Sequence, residues 1–131
     1  MRVIKNLSSG EKVYLDFRFL SSFDELNIGE HWEIYVLKIK RGEFEQSFVN
    51  SYFGRVQLDS EDLTPSLKSV DIYQRGAVHE FGHMLGLDDE YITSSKHIDD
   101  LNSIMNSGEV TRIRHDSSCL KWLNEVLNVK K

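Results

Sequence analysis

From Glu11 to Leu20 apolar and polar residues alternate, with Val13, Leu15, Phe17 and Phe19 on one face and Tyr14, Asp16 and Arg18 on the other. That is the period of a half-buried strand. "HWEIYVLKIK", from His31 to Lys40, is apolar on both faces around Tyr35, Val36 and Leu37, as a central strand would be. Arg41-Gly42 then predicts a turn into "EFEQSFV", making a hairpin of the two segments. "YFGRVQL" (Tyr52 to Leu58) is a further strand, interrupted by Gly54. Between the first two strands, "SSFDELNIG" has room for one helical turn at most.

The period then changes. Thr64 is a suitable N-cap with Pro65 at the first helical position, and Val70, Tyr73, Ala77, Phe81 and Met84 follow at helical spacing. A helix over about 65–85 is expected, stopped by Gly86, then polar turns through Asn106. A last amphipathic helix is expected over about 116–129, with Leu120, Leu123, Val126 and Leu127 inward. The pattern predicts an α+β fold with a small, mostly antiparallel sheet of three or four strands and two helices.

The chain of 131 residues fits a single domain, and 40% hydrophobic with 28% charged residues gives an ordinary globular composition. Sixteen Lys and Arg against twenty-one Asp and Glu leave a net charge of −5 without a basic segment, which argues against nucleic acid or an anionic membrane as partner. The lone Cys119 excludes an internal disulfide and reads as a small apolar residue of the last helix. No signal peptide or membrane span is legible. The expected location is the cytoplasm as synthesised, with non-classical delivery or membership of a longer protein as the exported alternative, and the expected state is a monomer.

The helix carries the chemistry. In "HEFGHMLGLDDEY", His79 and His83 lie about 40° apart around a helix and about 6 Å apart along it, so both imidazoles reach one metal ion. Glu80 can reach a water at that metal without being a ligand, and is the candidate general base. A catalytic zinc site needs a third protein ligand. A continued helix would carry Asp89 about 15 Å beyond His79. Gly86 can end the helix in the left-handed conformation and reverse the chain, making Asp89 the nearest oxygen donor. Asp88 and Glu90 compete for that role, as do His115, which also suits substrate or transition-state contact, and Glu109. His31 and His97 fit no pattern.

"HEFGHMLGLDD" resembles the metzincin metallopeptidase motif HExxHxxGxxH, with Asp89 replacing the third histidine as in snapalysin-like enzymes, which Tyr91 also resembles. "NSIMNSG" resembles the metzincin methionine turn, with Met105 as its methionine. The resemblance covers about 79–108 and implies a zincin-type scaffold with one catalytic zinc. It implies hydrolysis of peptide bonds in a peptide or protein substrate, with Glu80 activating the water. A looser resemblance, adding Arg114, His115 and Trp122, is to metallopeptidase toxin domains of bacterial effectors, and it would bring an immunity or inhibitor protein as partner. Two departures stand out: there is no room for the long backing helix of metzincins, and Ser107 occupies the place of a frequent tyrosine. Tyr91 or His115 would then contact the transition state. An amidase acting on peptidoglycan and a catalytically silent zinc-binding module are the alternative readings.

Overall fold

The computed structural model describes residues 2–6, 10, 12–16, 18–19, 31–117 and 121. The chain divides into two compact units, 1–30 and 31–131. In the first, β1 (Arg2–Asn6) and β2 (Lys12–Asp16) form an antiparallel hairpin, registered from Arg2 opposite Asp16 to Asn6 opposite Lys12. β2 lies within the predicted first strand, whereas its partner was not anticipated. The helical turn expected in 21–29 lies outside the described residues. So does the C-terminal helix beyond 117, including Cys119 and Trp122 but not Lys121; Asp116 and Ser117 have helical backbone.

In the second unit, β3 (Glu33–Leu37), β4 (Phe48–Asn50) and β5 (Arg55–Asp59) form a sheet in the order β3-β5-β4. β3 and β5 are parallel, with Glu33 opposite Arg55, while β4 and β5 are antiparallel, with Val49 opposite Val56. This corrects the expected hairpin between 31–40 and 43–49, and with it the mostly antiparallel sheet. The turn at Arg41-Gly42 does form, closed by the Glu43 amide on the Lys40 carbonyl at 3.0 Å. The chain on both sides of it is captured by side chains at the end of β5: the Glu45 amide donates to Asp59 Oδ2 at 3.1 Å, and the Ile39 amide to Ser60 Oγ at 3.1 Å. β5 therefore inserts between the two segments, and the stretch from 38 to 54 becomes a crossover long enough for a parallel connection.

The predicted helix over 65–85 is also corrected. β6 (Ser66–Ser69) and β7 (Ile72–Gln74) form a short antiparallel hairpin, and α1 begins only at Gly76 and ends at Met84. Val70 and Tyr73 satisfy helical spacing, yet Asp71 adopts φ +55°, a left-handed turn conformation that its short polar side chain tolerates. Val70 is left exposed at the tip. Long-range bonding favours the hairpin as well. The buried Gln74 side chain donates from Nε2 to the carbonyls of Ile104 (2.9 Å) and Gly108 (2.7 Å), with Asn106 O further off at 3.3 Å. One amide thereby clamps a tight turn 30 to 34 residues away.

That turn is the centre of the unit. Its backbone bonds run from Ile104 N to Val110 O and from Gly108 N to Ser103 O, and the Asn106 side chain donates to Ile98 O at 2.8 Å. The buried hydrophobic residues among those described are Val56, Ile104 and Met105, and Met105 is wholly enclosed. It lies directly against α1: a Cβ added at Gly82 would come within 2.2 Å of the Met105 sulfur. Helix and turn approach this closely only because residue 82 has no side chain. The observed fold is a small α+β arrangement whose core is built around this contact. No helix of the described residues is long and apolar enough to cross a membrane.

Candidate metal centre

α1 brings His79 and His83 side by side, their ring centroids 4.8 Å apart and nearly perpendicular. Each ring is oriented through Nδ1: His79 against the Ile104 carbonyl at 3.0 Å, His83 against the Leu87 carbonyl at 2.8 Å. A carbonyl only accepts, so both Nδ1 atoms carry a proton, and in the neutral ring Nε2 then presents its lone pair. This is how a metal-binding histidine is usually held.

The helix stops as its glycine predicts. Gly86 has φ +80°, its amide donates to His83 O, and the Leu87 amide reaches back to Gly82 O at 3.1 Å. These are the paired bonds of a Schellman ending. The reversal brings Asp89 Oδ1 to 3.2 Å from Nε2 of both His79 and His83. Oδ1 is buried without a hydrogen-bond partner. The other oxygen, Oδ2, accepts the Tyr91 hydroxyl at 2.9 Å. Burial, then the Asp89 carboxylate, pushes the Tyr91 hydroxyl up to about 12, so it remains a donor at neutral pH.

In neutral rings the two Nε2 atoms are acceptors, as Asp89 Oδ1 is, so three acceptor atoms converge. Protonating both Nε2 atoms would put two imidazolium rings in contact, and burial already holds His79 below its usual range. A cation resolves the conflict. Zinc bonds of about 2.0–2.1 Å at tetrahedral angles give ligand-to-ligand edges of about 3.3 Å. The two edges at Asp89 match this, and all three donor atoms lie within 4.8 Å of one another. The donor set fits zinc, with a coordination position left over.

Glu80 is buried, and its Oε2 has no hydrogen-bond partner. Desolvation raises its carboxyl above the usual range, opposed by the nearby His83. It shares with the triad a cleft of about 380 Å³ whose other wall is Gln46, Ser47, Phe48, Val49 and Ser51, from β4 and its approaches. Tyr91 lines the same cleft, its hydroxyl engaged by Asp89.

Three of the competing ligands, His115, Glu90 and Glu109, are engaged elsewhere. His115, the alternative third ligand, accepts the Arg112 amide at Nδ1 (3.1 Å) and directs Nε2 to Glu90 Oε1 (3.3 Å). Glu90 is buried and held by a two-pronged bond from Arg114 at 2.6 and 2.7 Å, which brings its carboxyl down to about 2. Glu109 makes a similar pair with Arg75 and accepts the Arg75 amide at 2.9 Å, anchoring the residue that precedes α1. Asp88 is exposed on the cleft wall. His31 and His97 stay outside the triad. Gln74, Asp100 and Ser103 give no signal in the sequence, and Arg114 enters there only through a resemblance, without its role. Arg114 adjoins the histidine singled out in "RH", and its near acid in the sequence, Asp116, gives no sign of its distant partners Glu90 and Asp100.

Asp100 joins this network by accepting from Arg112 at 2.7 and 2.9 Å and from Arg114 at 2.6 Å. The Arg112 bonds first, then Arg114, bring its carboxyl down to about 2. A value below that of the unfolded chain means the pair stabilises fully above about pH 4 and loses that contribution as pH falls toward 2. The thermal midpoint should therefore drop across that interval, and more shallowly in Asp100→Asn. Parallel pH profiles for parent and variant, followed by circular dichroism, would show that the pair carries none of the acid sensitivity.

Comparison with known protein families, with curated proteins and with solved structures returned no match, so the reading of the site rests on its own geometry.

Proposed function

We propose that the chain is a zinc-dependent peptidase in which His79, His83 and Asp89 hold the ion and Glu80 moves the proton. The observation that carries this is the approach of Asp89 Oδ1 to 3.2 Å from Nε2 of both His79 and His83, beside the buried Glu80 carboxylate whose Oε2 has no hydrogen-bond partner. Zinc, when bound, supplies Lewis acidity toward a peptide carbonyl and a water. Glu80 Oε2 takes a proton from that water as its oxygen bonds to the carbonyl carbon. Glu80 then delivers the proton to the amide nitrogen as the C–N bond breaks, leaving a carboxylic acid and an amine, which exchange a proton to become carboxylate and ammonium. A raised carboxyl value suits both halves of the transfer. Tyr91 keeps Asp89 Oδ2 occupied, so that Oδ1 faces the histidines.

Substrate would lie along β4. β5 has partners on both edges, whereas no strand of the described residues pairs with the outer edge of β4. β5 is therefore closed to substrate on both edges, and 48–50 takes that role. An extended peptide bound there by backbone pairing would pass the triad across the cleft. A purely structural zinc site would have no use for a buried, unpartnered Glu80.

The test is metal removal. The purified chain is expected to contain one zinc ion by mass spectrometry and to cleave an unfolded protein or a mixed quenched-peptide library. Chelation should abolish cleavage, and zinc should restore it. Cleavage that survives complete zinc removal overturns the proposal. A chain that binds zinc but cleaves neither probe leaves the binding-module reading in its place.

A further inference from the structure

Glu90 follows Asp89 directly, yet its carboxylate is engaged outside the triad. Arg114 grips it with two bonds, Ser103 and His115 also bind it, and its amide donates to Met105 O at 2.8 Å. Arg114 is itself fixed from a second side by Asp100, which Arg112 holds with a fork of its own. The reversal that presents Asp89 is therefore fastened twice, by the Schellman ending at Gly86 and by Glu90 at its far end. The turn that receives Glu90 also orients a histidine, since Ile104 O accepts from His79 Nδ1 while Met105 O accepts from the Glu90 amide. One short segment thus sets both the first ligand and the neighbour of the third.

Ser103, His115 and Glu90 do not form a nucleophile relay. The serine and the glutamate approach the same ring nitrogen, Nε2, and Ser103 is completely buried. A relay needs a different nitrogen for each partner. The cluster instead resembles a mount.

Resting on the reading of His79, His83 and Asp89 as a metal site, we infer that Glu90 and Arg114 are positioning residues for Asp89. Their ion pair holds the ligand turn in the geometry that binds zinc. Because a two-pronged pair depends on the planar fork of arginine, lysine at 114 cannot reproduce it.

The experiment measures zinc affinity by competition with a chromophoric chelator, alongside the thermal midpoint of the metal-free protein. The chains compared are the parent, Glu90→Gln, Arg114→Lys and, as control, Glu109→Gln, which breaks the equivalent pair with Arg75 at the other end of α1. Glu90→Gln is expected to bind zinc about 10- to 100-fold more weakly, the usual effect of removing a partner that orients a ligand. Arg114→Lys should show a smaller loss, and it serves as the main variant should Glu90→Gln fail to fold. Glu109→Gln should lower the midpoint while keeping parental affinity. Parental affinity in both Glu90→Gln and Arg114→Lys overturns the inference, as does an equal loss in the control. A parent that does not bind zinc overturns the metal-site reading itself, an outcome separable from the others.

Discussion

Replacing Glu80 by Gln should lower kcat for peptide cleavage by about 10²- to 10⁴-fold, or about 3–5 kcal/mol in the barrier, while zinc content stays at the parental level. The amide has the shape of the carboxylate but cannot accept the proton of the water. The ligand set is untouched, because the converging donor atoms belong to His79, His83 and Asp89. Metal-free stability should not fall, since the side chain replaced contributes a buried oxygen with no hydrogen bond. Zinc content, kcat and thermal midpoint measured on one preparation separate these effects. A variant that cleaves as fast as the parent removes Glu80 from the reaction.

The second large effect is expected from Asp89→Ala. It leaves two imidazoles to hold the ion, and zinc affinity should fall well beyond the roughly 10- to 100-fold typical of losing an outer partner. The metal-free chain should lose little stability, because Asp89 Oδ1 has no hydrogen-bond partner and the Tyr91 bond to Oδ2 is exposed. His115→Ala is the informative comparison and should lose far less, as its Nε2 is directed to Glu90. Similar losses in the two variants would return His115 to the ligand set. Unchanged affinity in Asp89→Ala would remove the aspartate from it.

The site was legible because its parts are local. His79, Glu80, His83, Gly86 and Asp89 lie within eleven residues, and helical pitch plus one left-handed glycine are enough to gather them. Met105 was found by its surrounding pattern rather than by proximity, and the packing that explains it depends on Gly82, whose role is visible only once the turn lies against the helix. The strand order was not legible, because it is decided by Asp59 and Ser60 capturing backbone amides at Glu45 and Ile39. Hydrophobic alternation contains no information about such captures. The helix start was misread for a related reason. The apolar spacing over 65–85 suits a helix, but a hairpin lets Gln74 satisfy carbonyls of a turn that sequence places 30 to 34 residues away.

The contact between Gly82 and Met105 has a chemical consequence. Conversion of a thioether to its sulfoxide requires an oxidant at the sulfur and room for one more polar atom. Met105 offers neither while α1 rests on it, for it is fully enclosed and even a methyl group at residue 82 would collide with it. Of the three methionines in the chain, it should resist peroxide as long as helix and turn stay together. Its oxidation is then a clock for their separation: each sulfoxide formed at position 105 records a moment when the floor beneath the two histidines had opened.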